Sequence, residues 1–184
     1  RDDATALVAC RVSDGHLELL ACEAKPDGVS SWQVDRDAID AAVSSAFDRY
    51  EVVAFFADPP QWQDYIDRWT AEFGDRVSVK ATQQHPFEWW TNRPRAIVAA
   101  LERFHEAVLS GQLTHDGGTV LRRHILNARR RVSRSGLTIS KEYPGSPRKI
   151  DAAMAAVLAY EARADAVAAG VMSKPKKSKR LVRF

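Results

Sequence analysis

The 184-residue sequence carries 27 Lys plus Arg against 24 Asp plus Glu, a net charge of +3 and 45% hydrophobic residues, the profile of one globular domain with enough chain to bury a core. The positive balance is local: Ser173 to Phe184 holds six basic residues and no acid, and the remaining 21 basic and 24 acidic residues sum to −3, so bulk charge does not decide what the body binds. No apolar run reaches the roughly 20 residues of a membrane span, Arg1-Asp2-Asp3 is unlike a signal peptide, and no CxxC, HExxH or GxxxxGK[ST] motif occurs. These features predict a cytosolic-type chain, with Cys10 and Cys22 as buried thiols among apolar neighbours.

In chain order, Thr5 to Val12 and His16 to Lys25 alternate as two strands, and Asp14-Gly15 between them supplies hairpin chemistry. Asp35 to Tyr50 places Ile39, Val43, Ala46 and Phe47 at helical spacing. Glu51 to Ala57 is short, continuously apolar after its first residue and stopped by Pro59-Pro60, which predicts a central strand buried on both faces. Gln61 to Phe73 reads as a helix closed by Gly74, with Trp62 and Trp69 on its core face, and Arg76 to Thr82 as a further short strand. Trp89-Trp90 falls in a loop-like stretch, a candidate partner or flap contact, before an amphipathic helix from Arg95 to Ser110. Thr119 to Val132 is expected to be helical, Gly136 to Ser140 a short strand, Tyr143 to Arg148 a loop, and Ile150 to Ala169 an alanine-rich helix. A hairpin followed by crossover helices describes a mixed α/β sheet with helices on its faces. The domain is expected over 1–170, with a basic tail over 171–184.

Three sets of residues can carry chemistry. Asp58 stands at the carboxyl end of the apolar run, where α/β proteins place their sites; a helix cap before Gln61 accounts for it equally well. Asp151 opens the last helix on a face of small residues, where an acid favoured by the helix dipole is also expected. Arg122, Arg123, Arg129, Arg130 and Arg131, with His124, lie within ten residues interspersed with Ile125, Leu126 and Ala128. A helix there would have one apolar and one cationic face, suited to a phosphate backbone or to a solvated surface.

Taken together, Phe56-Ala57-Asp58-Pro59-Pro60-Gln61-Trp62, His115-Asp116-Gly117, His124-Ile125-Leu126-Asn127-Ala128, Lys141-Glu142 and Lys149-Ile150-Asp151-Ala152-Ala153-Met154-Ala155-Ala156 resemble the nuclease domain of the large terminase subunit of tailed bacteriophages. The resemblance implies an RNase H-like fold, a mixed sheet with helices on both faces, and an acidic cluster holding two Mg²⁺ or Mn²⁺ ions. It carries two cluster positions onto Asp58 and Asp151. The first position is expected on a strand preceding Asp2-Asp3-Ala4, outside this sequence; otherwise Asp3 or Asp116 completes the cluster. Implied partners are double-stranded DNA, an N-terminal ATPase motor domain, the portal and the small terminase subunit, in the cytoplasm of an infected bacterium. Two ions can activate water, neutralise the scissile phosphate and steady the leaving oxygen, and hard cations favour carboxylate oxygens. Lys141, Lys149, Arg122, Arg123, Arg129, Arg130, His124 and Asn127 are the expected DNA-binding residues, contacting phosphate rather than bases. A resolvase or transposase-like nuclease for branched DNA, or a catalytically silent module docking on DNA or a portal, are the alternatives.

Overall fold

The computed structural model describes residues 4–26 and 28–171. The expected tail from 172 onward, and Asp2 and Asp3, therefore lie outside the described residues. Ten elements follow one another: β1 Thr5–Cys10, β2 His16–Glu23, α1 Arg36–Arg49, α2 Gln63–Phe73, α3 Pro94–Leu109, β3 Thr114–His115, α4 Thr119–Asn127, β4 Arg129–Ser133, β5 Gly136–Ser140 and α5 Asp151–Ala168.

The first hairpin forms where Gly15 takes φ +73°, a turn conformation that a side chain would strain. Its strands pair antiparallel, Thr5 with Glu23 and Cys10 with Leu17, with an irregularity between Leu7 and Val8. The two-residue β3 adds in parallel to the outer edge of β2, giving the order β1-β2-β3 and leaving the other edge of β1 without a strand among the described residues.

Helices cover both faces. Val8 and Leu17 pack with α3, α4 and α5 through Leu101, Leu121, Ala152, Ala156 and Val157. Leu7 and Ala21 face a second cluster built from Ile39, Val43 and Phe47 of α1 with Ile66, Trp69 and Phe73 of α2. Adjacent β1 residues thus serve opposite cores, as the two-residue strand period requires. Helix α5 is buried on several sides through Ala152, Ala153, Ala156, Ala162 and Ala166, small side chains that let it approach β1 closely. Trp62 and Trp69 stack with ring centroids 6.0 Å apart against the second core, the packing role their spacing indicated.

Three expectations are corrected. Residues 51–57 form no strand ladder; their β pairing is a single parallel bridge between Ala57 and Glu88, and Phe56 alone of the seven is buried. Residues 76–82 are turns and bends, since Ser78 and Val79 both donate to one carbonyl, that of Val53, instead of forming a ladder. The helix expected over 119–132 ends at Asn127. Ala128 becomes extended, and β4 turns back at Ser133 to pair with β5, Arg131 opposite Thr138 and Val132 opposite Leu137. A hairpin with β-branched and turn residues on both arms replaced the continuous helix that charge spacing suggested. Cys10 and Cys22 are half-buried, less enclosed than expected, and burial pushes their thiols up to about 12 and about 11. No described helix is long and apolar enough to cross a membrane.

Candidate metal centre

Asp58 follows the Ala57–Glu88 bridge directly. Ala57 N–H donates to Phe87 O and Trp89 N–H to Ala57 O, both at 2.8 Å, while Pro59 and Pro60 restrict the backbone beyond. The capping alternative for Asp58 does not hold: α2 begins after Trp62 and has no side-chain cap. Instead, the carboxylate accepts two hydrogen bonds from one residue, Thr91 N–H to Oδ1 at 3.1 Å and Thr91 hydroxyl to Oδ2 at 2.6 Å.

Asp151 is the first residue of α5, and its Oδ2 is shielded from solvent. The helix N-cap residue, Ile150, has no side chain able to accept from the first-turn N–H groups. That function comes from α4: the ring Nδ1 of His124 accepts from Ala152 N–H at 2.9 Å. His124 is only 6% exposed, and burial pushes its pKa below the ordinary value, partly offset by the negative Asp151. It is therefore a neutral ring with its proton on Nε2, the tautomer that an accepting Nδ1 requires. Asn127 Nδ2 donates to Lys149 O at 2.9 Å. His124 is thus buried and Asn127 half-buried, and both bond to the approach to α5.

Both acids line one cavity of about 660 Å³. Its lining includes Ala4 to Val8 from the β1 segment, Phe55 to Asp58, and Met154, Ala155 and Leu158 of α5. Trp32, Arg36, Gln61 and Trp62 complete it. Gln61 has φ +71°, which a non-glycine residue rarely adopts, and Arg36 holds its carbonyl with a 2.7 Å hydrogen bond while stacking 5.3 Å from the Trp62 ring.

Asp116 is not on the cavity wall; it is exposed and folds back to accept from Gly118 N–H at 2.8 Å. Among the described residues no group of three His, Cys, Asp or Glu side chains is placed to hold a metal ion. The pair Asp58 and Asp151 nevertheless fits a hard divalent cation in donor type, since both offer carboxylate oxygen, the donor such a cation favours.

Arg122 and Arg123 are exposed on α4, while Arg129 and Arg130 extend from β4 with Val132, which is 93% exposed. None of these lines the cavity, and Lys149 comes nearest in the chain, two residues before Asp151. Lys141 follows β5 directly. Trp89 packs into the cores around α5 instead of forming a free flap. Sequence reasoning missed Arg36, Gln61 as a strained wall residue, and Thr91; the positive φ had no local signature, and the other two are brought to the site by tertiary pairing.

The chain is 39% identical over 183 residues to the Gene 13 proteins of Mycobacterium phages D29 and L5, a match that covers 98% of the chain. It spans 30% of the length of these curated relatives. The crystal structure of the large terminase nuclease from thermophilic phage G20c superposes with a TM-score of 0.52 at 14% identity, covering 88% of this chain and 76% of that one. No protein-family model matches. The mixed α/β architecture, with helices on both faces, is thus the RNase H-like fold of that nuclease.

Proposed function

We propose that the chain is the DNA-cutting domain of a tailed-phage packaging enzyme, a divalent-metal-dependent endonuclease acting on double-stranded viral DNA in the cytoplasm of the infected bacterium. The observation carrying this reading is the convergence of Asp58 and Asp151, 93 positions apart in the sequence, on one cavity within a terminase-nuclease fold. In the longer protein it would work beside an ATPase motor domain, the portal and the small terminase subunit.

Asp58 and Asp151 would hold Mg²⁺ or Mn²⁺, two ions in the complete centre. When bound, such ions supply a nucleophilic water and charge neutralisation at the scissile phosphate. The chain contributes the rest. Thr91 and the Ala57–Glu88 bridge fix the Asp58 oxygens, and His124 with Asn127 fixes the start of α5 and hence Asp151. Lys149, Lys141 and the exposed arginines of α4 and β4 would hold the phosphate backbone, giving affinity with little base preference.

Two acids are too few for two ions. The cavity is lined by residues of both the β1 segment and 55–58, and among the described residues β1 pairs on one side only, so a further strand pairing with β1 would bring its side chains near the site. We assign the third carboxylate to such a strand, upstream in the longer protein, in preference to the remote Asp116. The test is plasmid cleavage by the full-length protein with Mn²⁺ or Mg²⁺. Wild type should cut, and Asp58→Asn and Asp151→Asn should each fall below about one-hundredth of that rate. Equal cutting by all three would refute the assignment, and a strong preference for branched over linear duplex would favour the resolvase alternative.

A further inference from the structure

We propose that Thr91 is a positioning residue that sets the orientation of the Asp58 carboxylate for metal binding. The proposal rests on the reading of Asp58 as a metal ligand and assigns a role to a residue 33 positions away in the sequence.

The geometry is a two-point clamp. Thr91 N–H reaches Oδ1 at 3.1 Å and its hydroxyl reaches Oδ2 at 2.6 Å, so one residue grips both oxygens. The terminal torsion of aspartate is broad and soft, and turning it would break both bonds together. Each carboxylate oxygen has two acceptor positions. The clamp therefore uses one position per oxygen and leaves the others for a cation, constraining the ligand without consuming it.

Thr91 can act this way because its own backbone is held from both sides. Three residues earlier, Glu88 forms the parallel bridge with Ala57. The Glu88 carboxylate also gathers Gln63 Nε2 at 2.9 Å, His85 Nδ1 at 2.9 Å and Trp90 Nε1 at 3.3 Å. Trp89 is packed into the cores next to α5, and Pro94 starts α3 three residues after Thr91. The β-branched side chain adds a restricted χ1, which fixes where the hydroxyl points.

Groups that orient metal ligands without touching the metal typically change affinity by about 10- to 100-fold when removed. The direct test is calorimetric titration of Mn²⁺ alone into the full-length protein, as wild type, Asp58→Asn, Thr91→Val and Thr91→Ser, with melting in EDTA to compare their folds. Valine keeps the shape and backbone N–H but removes the hydroxyl; serine restores the hydroxyl. Thr91→Val should weaken the Asp58-dependent Mn²⁺ site about 10-fold or more, and Thr91→Ser should stay within about threefold of wild type. In cleavage, Thr91→Val should require more Mn²⁺ while approaching the wild-type rate at saturation, a split that general loss of fold would not produce. Wild-type affinity in Thr91→Val, with the site lost in Asp58→Asn, would overturn the positioning role alone. Equal loss in the serine and valine variants would also overturn it. Unchanged binding in Asp58→Asn would remove the metal-ligand reading and this proposal with it.

Discussion

The two acids that line the cavity are held by different means. Asp151 begins an 18-residue helix buried against β1, and its first turn is secured by a buried imidazole and by an amide on the preceding carbonyl. Asp58 ends a segment with no strand ladder, fixed by one bridge, two prolines and a threonine. Helical hydrogen bonds cooperate along their element, whereas a segment without a ladder depends on individual contacts. The Asp58 side should therefore respond to single side-chain changes by local loosening, and the Asp151 side by loss of global stability. The difference also locates what the described chain leaves open, because the unladdered segment lines the same cavity as β1, which pairs on one side only among the described residues.

The largest expected effect is on the helical side. His124→Ala removes a buried ring and the acceptor for Ala152 N–H, and should cost about 2–4 kcal/mol, or roughly 5–15 °C in a thermal melt at this chain length. Amide exchange should accelerate together across the slowest-exchanging core residues, the signature of lost global stability.

A smaller effect is expected on the other wall. Gln61→Val places a β-branched side chain at φ +71° and should destabilise by about 1–2 kcal/mol, whereas Gln61→Asn, which tolerates that region, should remain within about 0.5 kcal/mol of wild type by denaturant unfolding. Equal destabilisation by both would show that the side chain matters more than the backbone conformation.

The helical side should also carry a pH response. The His124 pKa is held below the ordinary 6.5 by burial, so between those two values the unfolded chain binds a proton that the folded chain does not. Stability in EDTA should accordingly fall as pH drops below about 6.5, and that component of the slope should vanish in a His124 variant.

The smallest effects concern the exposed cations. Single Arg122→Ala or Arg129→Ala changes should leave the melting temperature within about 1 °C. Each residue that contacts phosphate should reduce the salt dependence of DNA binding by about one unit of slope.

Much of this was legible in the residues. The Asp14-Gly15 turn, the apolar spacings of α1, α2, α3 and α5, and Asp151 at the start of α5 are local patterns, and local patterns survive into the fold. Asp58 was conspicuous because an apolar run and two prolines frame it. What could not be read depends on pairing across the chain. Residues 119–132 carried a helical charge pattern, yet Val132 and Arg131 found partners in β5. Residues 51–57 had the composition of a central strand, but a central strand needs neighbours on both sides and the described chain supplies one bridge. His124 looked like part of a cationic face because its neighbours are arginines, and only the approach of α5 turns it into a cap. Thr91 carries no motif at all; its role arises from the bridge that brings residues 87–91 beside Asp58.

The most direct measurement of the central claim is a crystal structure of the full-length protein soaked in Mn²⁺, read by anomalous scattering. The account predicts manganese coordinated by Asp58 and Asp151, with a third carboxylate supplied by a strand seated along the open edge of β1. Manganese bound elsewhere, or none beside these two acids in a protein that still cleaves DNA, would contradict it.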